Sequence, residues 1–115
     1  MKIEQRIQTI ERQIQKIKDR LLALDDLRPG SLSRQFNVCG KPGCRCKDPE
    51  HPKRHGPYYQ LNYVYRGKKT SQFVRATDLA QIQAELANFK TFRRLIDQWV
   101  GLALQRAQLK LRIKP

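Results

Sequence analysis

The sequence predicts an α+β fold in which a long, coiled-coil-like N-terminal helix and a long C-terminal helix flank a small zinc knuckle and a β-hairpin. Isoleucine and leucine recur at heptad spacing in residues 3–24, whereas residues 79–103 carry a broader apolar stripe at helical spacing. Between them, residues 39–59 concentrate cysteine, histidine, glycine and proline, which favours a metal-held loop. A chain of 115 residues is long enough for one domain at most.

The N-terminal helix is predicted from a narrow apolar seam. Its members lie alternately four and three residues apart: Ile3, Ile7, Ile10, Ile14, Ile17, Leu21 and Leu24. Such a seam is typical of helices that pack lengthwise on another helix. Two interpretations stay open, namely self-association as a coiled coil and packing on the C-terminal helix of the same chain. We expect Arg28-Pro29-Gly30 to end the helix, because proline and glycine both disfavour its continuation.

The three cysteines predict a zinc site. Cys39, Cys44 and Cys46 fall within eight residues, with glycine and proline between them, so that three sulfur atoms meet on one tight loop. Structural Zn²⁺ takes four nitrogen or sulfur ligands, and either His51 or His55 is near enough in sequence to supply the fourth. Four protein ligands leave no position for a catalytic water, so we expect the metal to be structural. A disulfide is less well supported, because it would leave one cysteine over.

The segment after the cysteines predicts a β-hairpin. Tyr58–Tyr65 is rich in aromatic and β-branched residues and is expected to place alternate side chains on opposite faces. Arg66-Gly67-Lys68-Lys69 is the predicted turn, and Ser71–Arg75 is the returning strand. Because a two-stranded hairpin is not stable alone, it is expected to pack on the zinc loop and the C-terminal helix.

The C-terminal helix is predicted to begin near Asp78. This residue is a good N-cap, and Gln81 stands at the position that a capping box prefers. The apolar stripe that follows is broad enough for a core-facing helix, so Phe92 and Trp99 are expected to be core residues rather than ligand contacts. Gly101 weakens the helical pattern without ending it.

Net charge gives the main indication of function. The chain carries 24 Lys and Arg against 10 Asp and Glu, a formal net charge of +14, and residues 28–75 hold eleven of the basic and two of the acidic side chains. Such a concentration of positive charge favours a polyanionic partner, with nucleic acid first and an anionic membrane surface second. The candidate phosphate contacts are basic residues of this segment: Arg34, Lys41, Arg45, Lys53, Arg54, Arg66, Lys68 and Lys69.

Composition also divides the chain into three segments that are expected to form one compact unit. They are the heptad helix of residues 1–27, the basic zinc knuckle with its hairpin in residues 28–76, and the C-terminal helix of residues 77–113. This layout allows an alternative function. The helices would then join a larger protein or ribonucleoprotein, and the chain would be a structural or adaptor subunit. In the nucleic-acid-binding function, the helices are expected to form a homo-oligomer or to bind a protein partner.

Other classes of function are disfavoured. The ten acidic residues form no converging set that could hold two catalytic metal ions, and no thiol is marked as a nucleophile, so we expect no enzymatic activity. No stretch approaches the roughly 20 apolar residues that span a membrane, and the polar N-terminus does not resemble a secretory signal peptide. We therefore expect the protein in the cytoplasm.

The middle of the chain resembles a known family of small, uncharacterised bacterial and archaeal proteins that are often transposase-associated. The resemblance rests on Gly30-Ser31-Leu32-Ser33-Arg34, Cys39-Gly40-Lys41-Pro42-Gly43-Cys44-Arg45-Cys46, His55-Gly56-Pro57-Tyr58-Tyr59 and Arg66-Gly67-Lys68. It covers roughly residues 28–110 and leaves the heptad helix outside. The resemblance favours His55 over His51 as the fourth zinc ligand, and it implies a DNA-handling accessory role linked to a mobile genetic element.

Overall fold

The computed structural model describes residues 2–37 and 41–113 and confirms the α+β fold. Two helices, three strands and two short 3₁₀ turns follow one another in this order: α1 (Ile3–Leu22), β1 (Ser31–Asn37), a turn (Arg45–Lys47), β2 (His55–Tyr65), β3 (Lys68–Val74), a second turn (Ala76–Asp78) and α2 (Leu79–Ile113). Over the described residues, neither helix has a stretch sufficiently long and apolar to cross a membrane.

The chain groups into two compact units. The helical unit comprises Met1–Leu27 and Ala87–Pro115, and the sheet unit comprises Arg28–Leu86. Helix α2 contributes to both, because it begins at Leu79 and ends at Ile113. Composition alone offers no reason to divide α2 near residue 86.

In the helical unit, the isoleucine seam of α1 packs within the chain. Ile7, Ile10 and Ile14 are buried in one cluster with Leu109 of α2. Trp99 packs against this cluster, as predicted for a core residue, and its ring lies 5.2 Å from the Nζ of Lys18. Of the two interpretations of the heptad spacing, the structure therefore contains the intrachain one.

The end of α1 differs from the prediction. The helix stops at Leu22, and the Ala23 amide donates back to the Asp19 carbonyl oxygen at 3.1 Å, so Arg28-Pro29-Gly30 lies beyond the helix. Two aspartates follow, and negative charge is unfavourable at the C-terminal end of the helix dipole. The side-chain amide of Asn88 donates to the Asp26 carbonyl oxygen at 2.8 Å and holds this connecting segment.

The sheet unit contains a strand that the sequence did not predict. Its three strands are antiparallel in the order β1-β2-β3, so the expected hairpin of β2 and β3 is joined by β1 along the other edge of β2. Leu32 of β1 lies opposite Leu61 of β2. Strand β1 carries no valine, isoleucine or threonine, and this lack of β-branched residues explains why its pattern was missed.

One face of the sheet forms the second core. Leu61 and Val74 are buried with Ile82, which lies in the first turns of α2. Four partly buried residues pack against this cluster: Leu32, Tyr59, Tyr63 and Leu86. The alternation predicted for β2 is therefore confirmed on its inward side.

The turn between β2 and β3 is shorter than predicted. Only Arg66 and Gly67 form it, both with positive φ (51° and 79°), and Tyr65 pairs directly with Lys68. A two-residue turn of this kind matches the right-handed twist of the adjoining strands. The predicted turn residues Lys68 and Lys69 consequently belong to strand β3.

Helix α2 begins one residue after the predicted cap. Asp78 precedes Leu79, and its carboxylate accepts a hydrogen bond from the Arg75 guanidinium at 3.2 Å. Gln81 was predicted to complete a capping box, but its side-chain amide instead donates to the Glu85 carboxylate at 3.5 Å. The helix continues through Gly101, as expected.

Candidate metal centre and basic surface

Three potential metal ligands meet in the sheet unit. The Sγ atoms of Cys44 and Cys46 and a ring nitrogen of His55 all lie within 4.8 Å of one another. Cys44 Sγ lies 3.2 Å from His55 Nε2. These three residues lie close enough together to bind a metal ion.

The local backbone brings the two cysteines side by side. Cys44 immediately precedes the 3₁₀ turn Arg45–Lys47, and Cys46 lies within it and is only 2% exposed. Gly43 has a φ of 75°, a left-handed conformation that suits glycine and turns the chain into this segment. Two thiols two residues apart therefore face one site.

The histidine is placed by strand pairing. His55 is the first residue of β2 and pairs with Asn37 at the end of β1. Next to it, Gly56 has a φ of 136°, and a Cβ there would lie 2.8 Å from the Gln35 carbonyl oxygen, so a side chain would push β1 and β2 apart. The Lys53 amide also donates to the Arg45 carbonyl oxygen at 2.9 Å, which ties the returning chain to the cysteine turn.

The donor set suits a tetrahedral thiolate and imidazole site. With ordinary zinc–sulfur and zinc–nitrogen bond lengths, a tetrahedral ion separates its ligand atoms by about 3.5–3.8 Å. Cys44 Sγ and His55 Nε2 are 3.2 Å apart, and no pair of the three ligand atoms is more than 4.8 Å apart, so the spacing is near that of a tetrahedral site. The three residues fit such an ion.

Cys39, the remaining cysteine of the predicted ligand set, lies outside the described residues. The alternative histidine, His51, is exposed, and its backbone amide donates to the Asp48 carboxylate at 3.3 Å. Within residues 2–37 and 41–113, His51 is not part of the ligand group, whereas His55 is.

All eight predicted phosphate-contact residues are exposed, but the sheet does not bring them to one place. Four lie in the loop before β2, and we call them the loop group: Lys41, Arg45, Lys53 and Arg54. Three lie at the far end of β2, and we call them the turn group: Arg66, Lys68 and Lys69. Since β2 has eleven residues, the two groups lie at opposite ends of a strand about 35 Å long.

Arg34 belongs to neither group. It pairs with Tyr59 in the middle of the sheet, and its guanidinium carbon lies 5.2 Å from the centre of the Phe36 ring. Such a contact is an ordinary cation–π interaction at an exposed site.

A part-buried ion pair also lies in the sheet unit, between Arg28 and Glu85. The Arg28 Nε donates to Glu85 Oε1 at 2.8 Å, and the Arg28 amide donates to the Glu85 carbonyl oxygen at 3.1 Å. Glu85 is 7% exposed. The hydrogen bond from Arg28 lowers the pKa of the Glu85 carboxyl below its usual value, against the opposing effect of burial.

The sequence placed Tyr58 on the face of β2 opposite to Leu61, but it did not indicate that Tyr58 contacts a second exposed ring. Tyr58 and Phe73 lie edge to face with ring centroids 6.4 Å apart. Their exposed fractions are 40% and 67%. The exposure of Tyr58 follows from the alternation of side chains along β2, because Tyr58 lies on the face opposite to the buried Leu61.

Comparison with known proteins gives a family but no described activity. A family model described as a domain of unknown function (DUF6788) matches residues 3–84, which is more than half of the chain. The match includes the heptad helix, which the resemblance seen in the sequence had left outside, and it ends near the start of α2. No curated protein and no solved structure matches the chain.

Proposed function

This chain belongs to the DUF6788 family, and we propose that it is a zinc-stabilised DNA-binding accessory protein. One observation carries the proposal: the four exposed basic residues of the loop group lie in the same segment of the chain as Cys44, Cys46 and His55, whose ligand atoms are within 4.8 Å of one another. A metal there would fix an otherwise irregular basic loop in one conformation.

Zinc is the metal that the ligand chemistry favours. Thiolate sulfur and imidazole nitrogen are the donors of structural zinc sites, and hard cations prefer oxygen. Cys44, Cys46 and His55 would supply three ligands, and Cys39 is the proposed fourth. The bound ion would supply folding energy to this loop, because a site of this type does not exist in the unfolded chain.

Charge supports a nucleic acid as the partner. The sheet unit carries eleven basic and four acidic side chains, a net charge of +7. Two of the acids, Asp78 and Glu85, accept hydrogen bonds from arginines and are thereby neutralised locally. Exposed lysine and arginine gain affinity for DNA by displacing counterions from its phosphates. The link to a mobile genetic element rests on the resemblance of the CGKPGCRC and HGPYY segments.

Matched charge variants test the proposal. A loop variant replaces Lys41, Arg45 and Lys53 by glutamine, and a helix variant replaces Lys90, Arg93 and Arg94, three exposed basic residues of α2. Both variants lose three charges. We expect the loop variant to weaken DNA binding and to flatten the slope of log affinity against log salt by up to about 3, with a smaller effect in the helix variant.

The outcome that contradicts the proposal is equal weakening in both variants, because only total charge would then matter. Fluorescence anisotropy on a labelled duplex and on a labelled single strand gives the affinities, and metal content by mass spectrometry confirms that the loop variant keeps its site.

A second candidate function, a self-assembling structural subunit, is favoured by an exposed apolar stripe on α2. Val100, Leu104 and Leu111 are 52%, 63% and 61% exposed and lie at heptad spacing. A second copy of the chain is the occupant that this function requires. Sedimentation of the wild-type protein and of Leu104→Gln tests it: a dimer that dissociates in the variant supports assembly, and a wild-type monomer at all concentrations rejects it.

A further inference from the structure

One face of the sheet carries mainly exposed side chains. On β2 it presents Tyr58, Gln60, Asn62 and Val64, and we call it the open face. The strand neighbours on the same face are Ser31, Ser33 and Gln35 of β1, and Lys69, Ser71 and Phe73 of β3. The opposite face is the one that packs on Ile82 in the second core.

Two aromatic rings stand on the open face. Phe73 is 67% exposed, and it lies diagonally across the ladder from Tyr58, which is 40% exposed. Their edge-to-face contact fixes both rings relative to one another. Exposed rings on a sheet are platforms on which planar, unsaturated ligands stack, and every nucleobase has such a face.

Beside the rings lies an array of ordered amides. The Gln35 side-chain nitrogen donates to Gln60 Oε1 at 2.7 Å, and the Ser71 hydroxyl donates to Asn62 Oδ1 at 2.7 Å. In these bonds Gln60 and Asn62 act as acceptors, so neither bond uses the two donors of their NH₂ groups. Side-chain amides of this kind form hydrogen bonds with the edges of unpaired bases.

The charges around the open face favour an anion. Strands β1, β2 and β3 contain no aspartate or glutamate in their described bounds. The loop group lies before the start of β2, and the turn group lies at its end. A polyanion that follows β2 would therefore meet positive charge at both ends and no carboxylate between them.

We propose that the open face binds an unpaired strand of DNA. Bases stack on Tyr58 and Phe73, the amides of Gln60 and Asn62 contact base edges, and the loop and turn groups hold phosphates at the two ends. This inference rests on the proposed DNA-binding function and narrows its substrate to the single-stranded form.

The arrangement suits a single strand better than a duplex. In a duplex the faces of the bases are covered by their stacked neighbours, so rings on an open sheet cannot reach them. The rings and amides lie in the middle of the strand, and the charges lie at its ends, which is the order in which an extended single strand would present phosphates and splayed bases. A protein partner would leave the carboxylate-free surface and its basic ends without a role.

The test compares binding of three fluorescein-labelled 12-nucleotide probes of one sequence: single-stranded DNA, the matching DNA duplex and single-stranded RNA. We expect the DNA strand to bind about tenfold more tightly than the duplex. Phe73→Ala should weaken strand binding about fivefold or more, whereas Phe73→Tyr, which keeps a stacking ring, should retain most of the affinity.

Tyr65→Ala is the matched control. Tyr65 is 61% exposed but lies on the face opposite to Tyr58. Its ring lies 5.3 Å from the Arg66 guanidinium carbon, and because the charge of Arg66 remains after Tyr65 is removed, strand affinity should change less than twofold. Metal content and the circular dichroism spectrum of each variant confirm that it is folded.

The possible failures are distinguishable. If Phe73→Ala binds the strand as wild type does while the loop variant binds it weakly, the open face is not the site and the proposed function stands. Tighter binding of duplex or of RNA than of the DNA strand overturns the assignment to unpaired DNA. Wild-type protein that binds none of the probes overturns the proposed function and this inference together.

Discussion

At the scale of single residues, Cys44, Cys46 and His55 form the candidate metal centre, because they lie close enough together to bind a metal ion. Cysteine spacing was sufficient to predict a site, because sulfur atoms two residues apart on a turn face the same way. Spacing alone left the histidine open. The separation of Cys44 and His55 depends on the pairing of His55 with Asn37 of β1, a strand that the sequence did not reveal.

The first prediction concerns the identity of the histidine ligand. His55→Ala should lose most of the bound metal, and Cys46→Ser should do the same, because each removes one donor of the group. His51→Ala is the matched control and should keep one metal ion per chain, because His51 is exposed and outside the group. Metal analysis of the purified variants measures this. Loss of metal in His51→Ala with retention in His55→Ala would reverse the assignment.

A second prediction follows from the ion pair of Arg28 and Glu85. The pKa of Glu85 is lower in the folded protein than its ordinary value, so the pair stabilises the fold above the unfolded pKa of about 4.3. This contribution is lost as pH falls through the folded pKa. At neutral pH, Glu85→Gln should lower the free energy of unfolding by about 1 kcal/mol, a modest value because Arg28 is partly exposed.

Urea unfolding of wild type and Glu85→Gln from neutral pH to about pH 3 checks the sign. The difference between the two proteins should shrink as the pH falls, because the wild-type carboxylate becomes protonated. If a bound metal ion is released at low pH, the release lowers the stability of both proteins equally, so it does not affect the difference between them. A difference that stays constant over this range would show that Glu85 does not stabilise the fold as an ion.

At the scale of elements, the two helices were predictable and one strand was not. The seam of α1 and the stripe of α2 have the periodicity of helices over many residues, and the local pattern is then sufficient. Strand β1 is short, and it forms a strand because its backbone pairs with the edge of β2. The early end of α1 also follows from local chemistry, because Asp25 and Asp26 disfavour its continuation. The heptad pattern considers only the apolar positions and does not include this effect.

The third prediction addresses the packing of α1 on α2. Ile10 is 7% exposed in the cluster with Leu109, so Ile10→Ala should lower the free energy of unfolding by about 2–3 kcal/mol. The control is Gln13, an exposed residue on the same helix. Gln13→Ala should change the free energy of unfolding by less than about 0.5 kcal/mol. Chemical unfolding monitored by helical circular dichroism measures both. Equal effects would mean that the seam does not pack within the chain.

At the scale of the whole molecule, charge and cysteine content direct the functional proposal more than the fold does. A net charge of +14 and its concentration around the cysteines were evident in the sequence. The separation of that charge into a loop group and a turn group follows from the predicted hairpin, but the full length of β2 between them, from His55 to Tyr65, is seen only in the structure. The open face between these groups likewise depends on the sheet.

The central claim is that a metal-ordered basic loop binds DNA, and the salt dependence of DNA affinity with and without the metal tests it most directly. With four phosphate contacts from the loop group, affinity should fall at least about 100-fold between 50 and 200 mM salt, as counterion release requires. Removal of the metal with a chelator should weaken binding, and added zinc should restore it. Affinity that is independent of salt, or unchanged after the metal is removed, would contradict the claim.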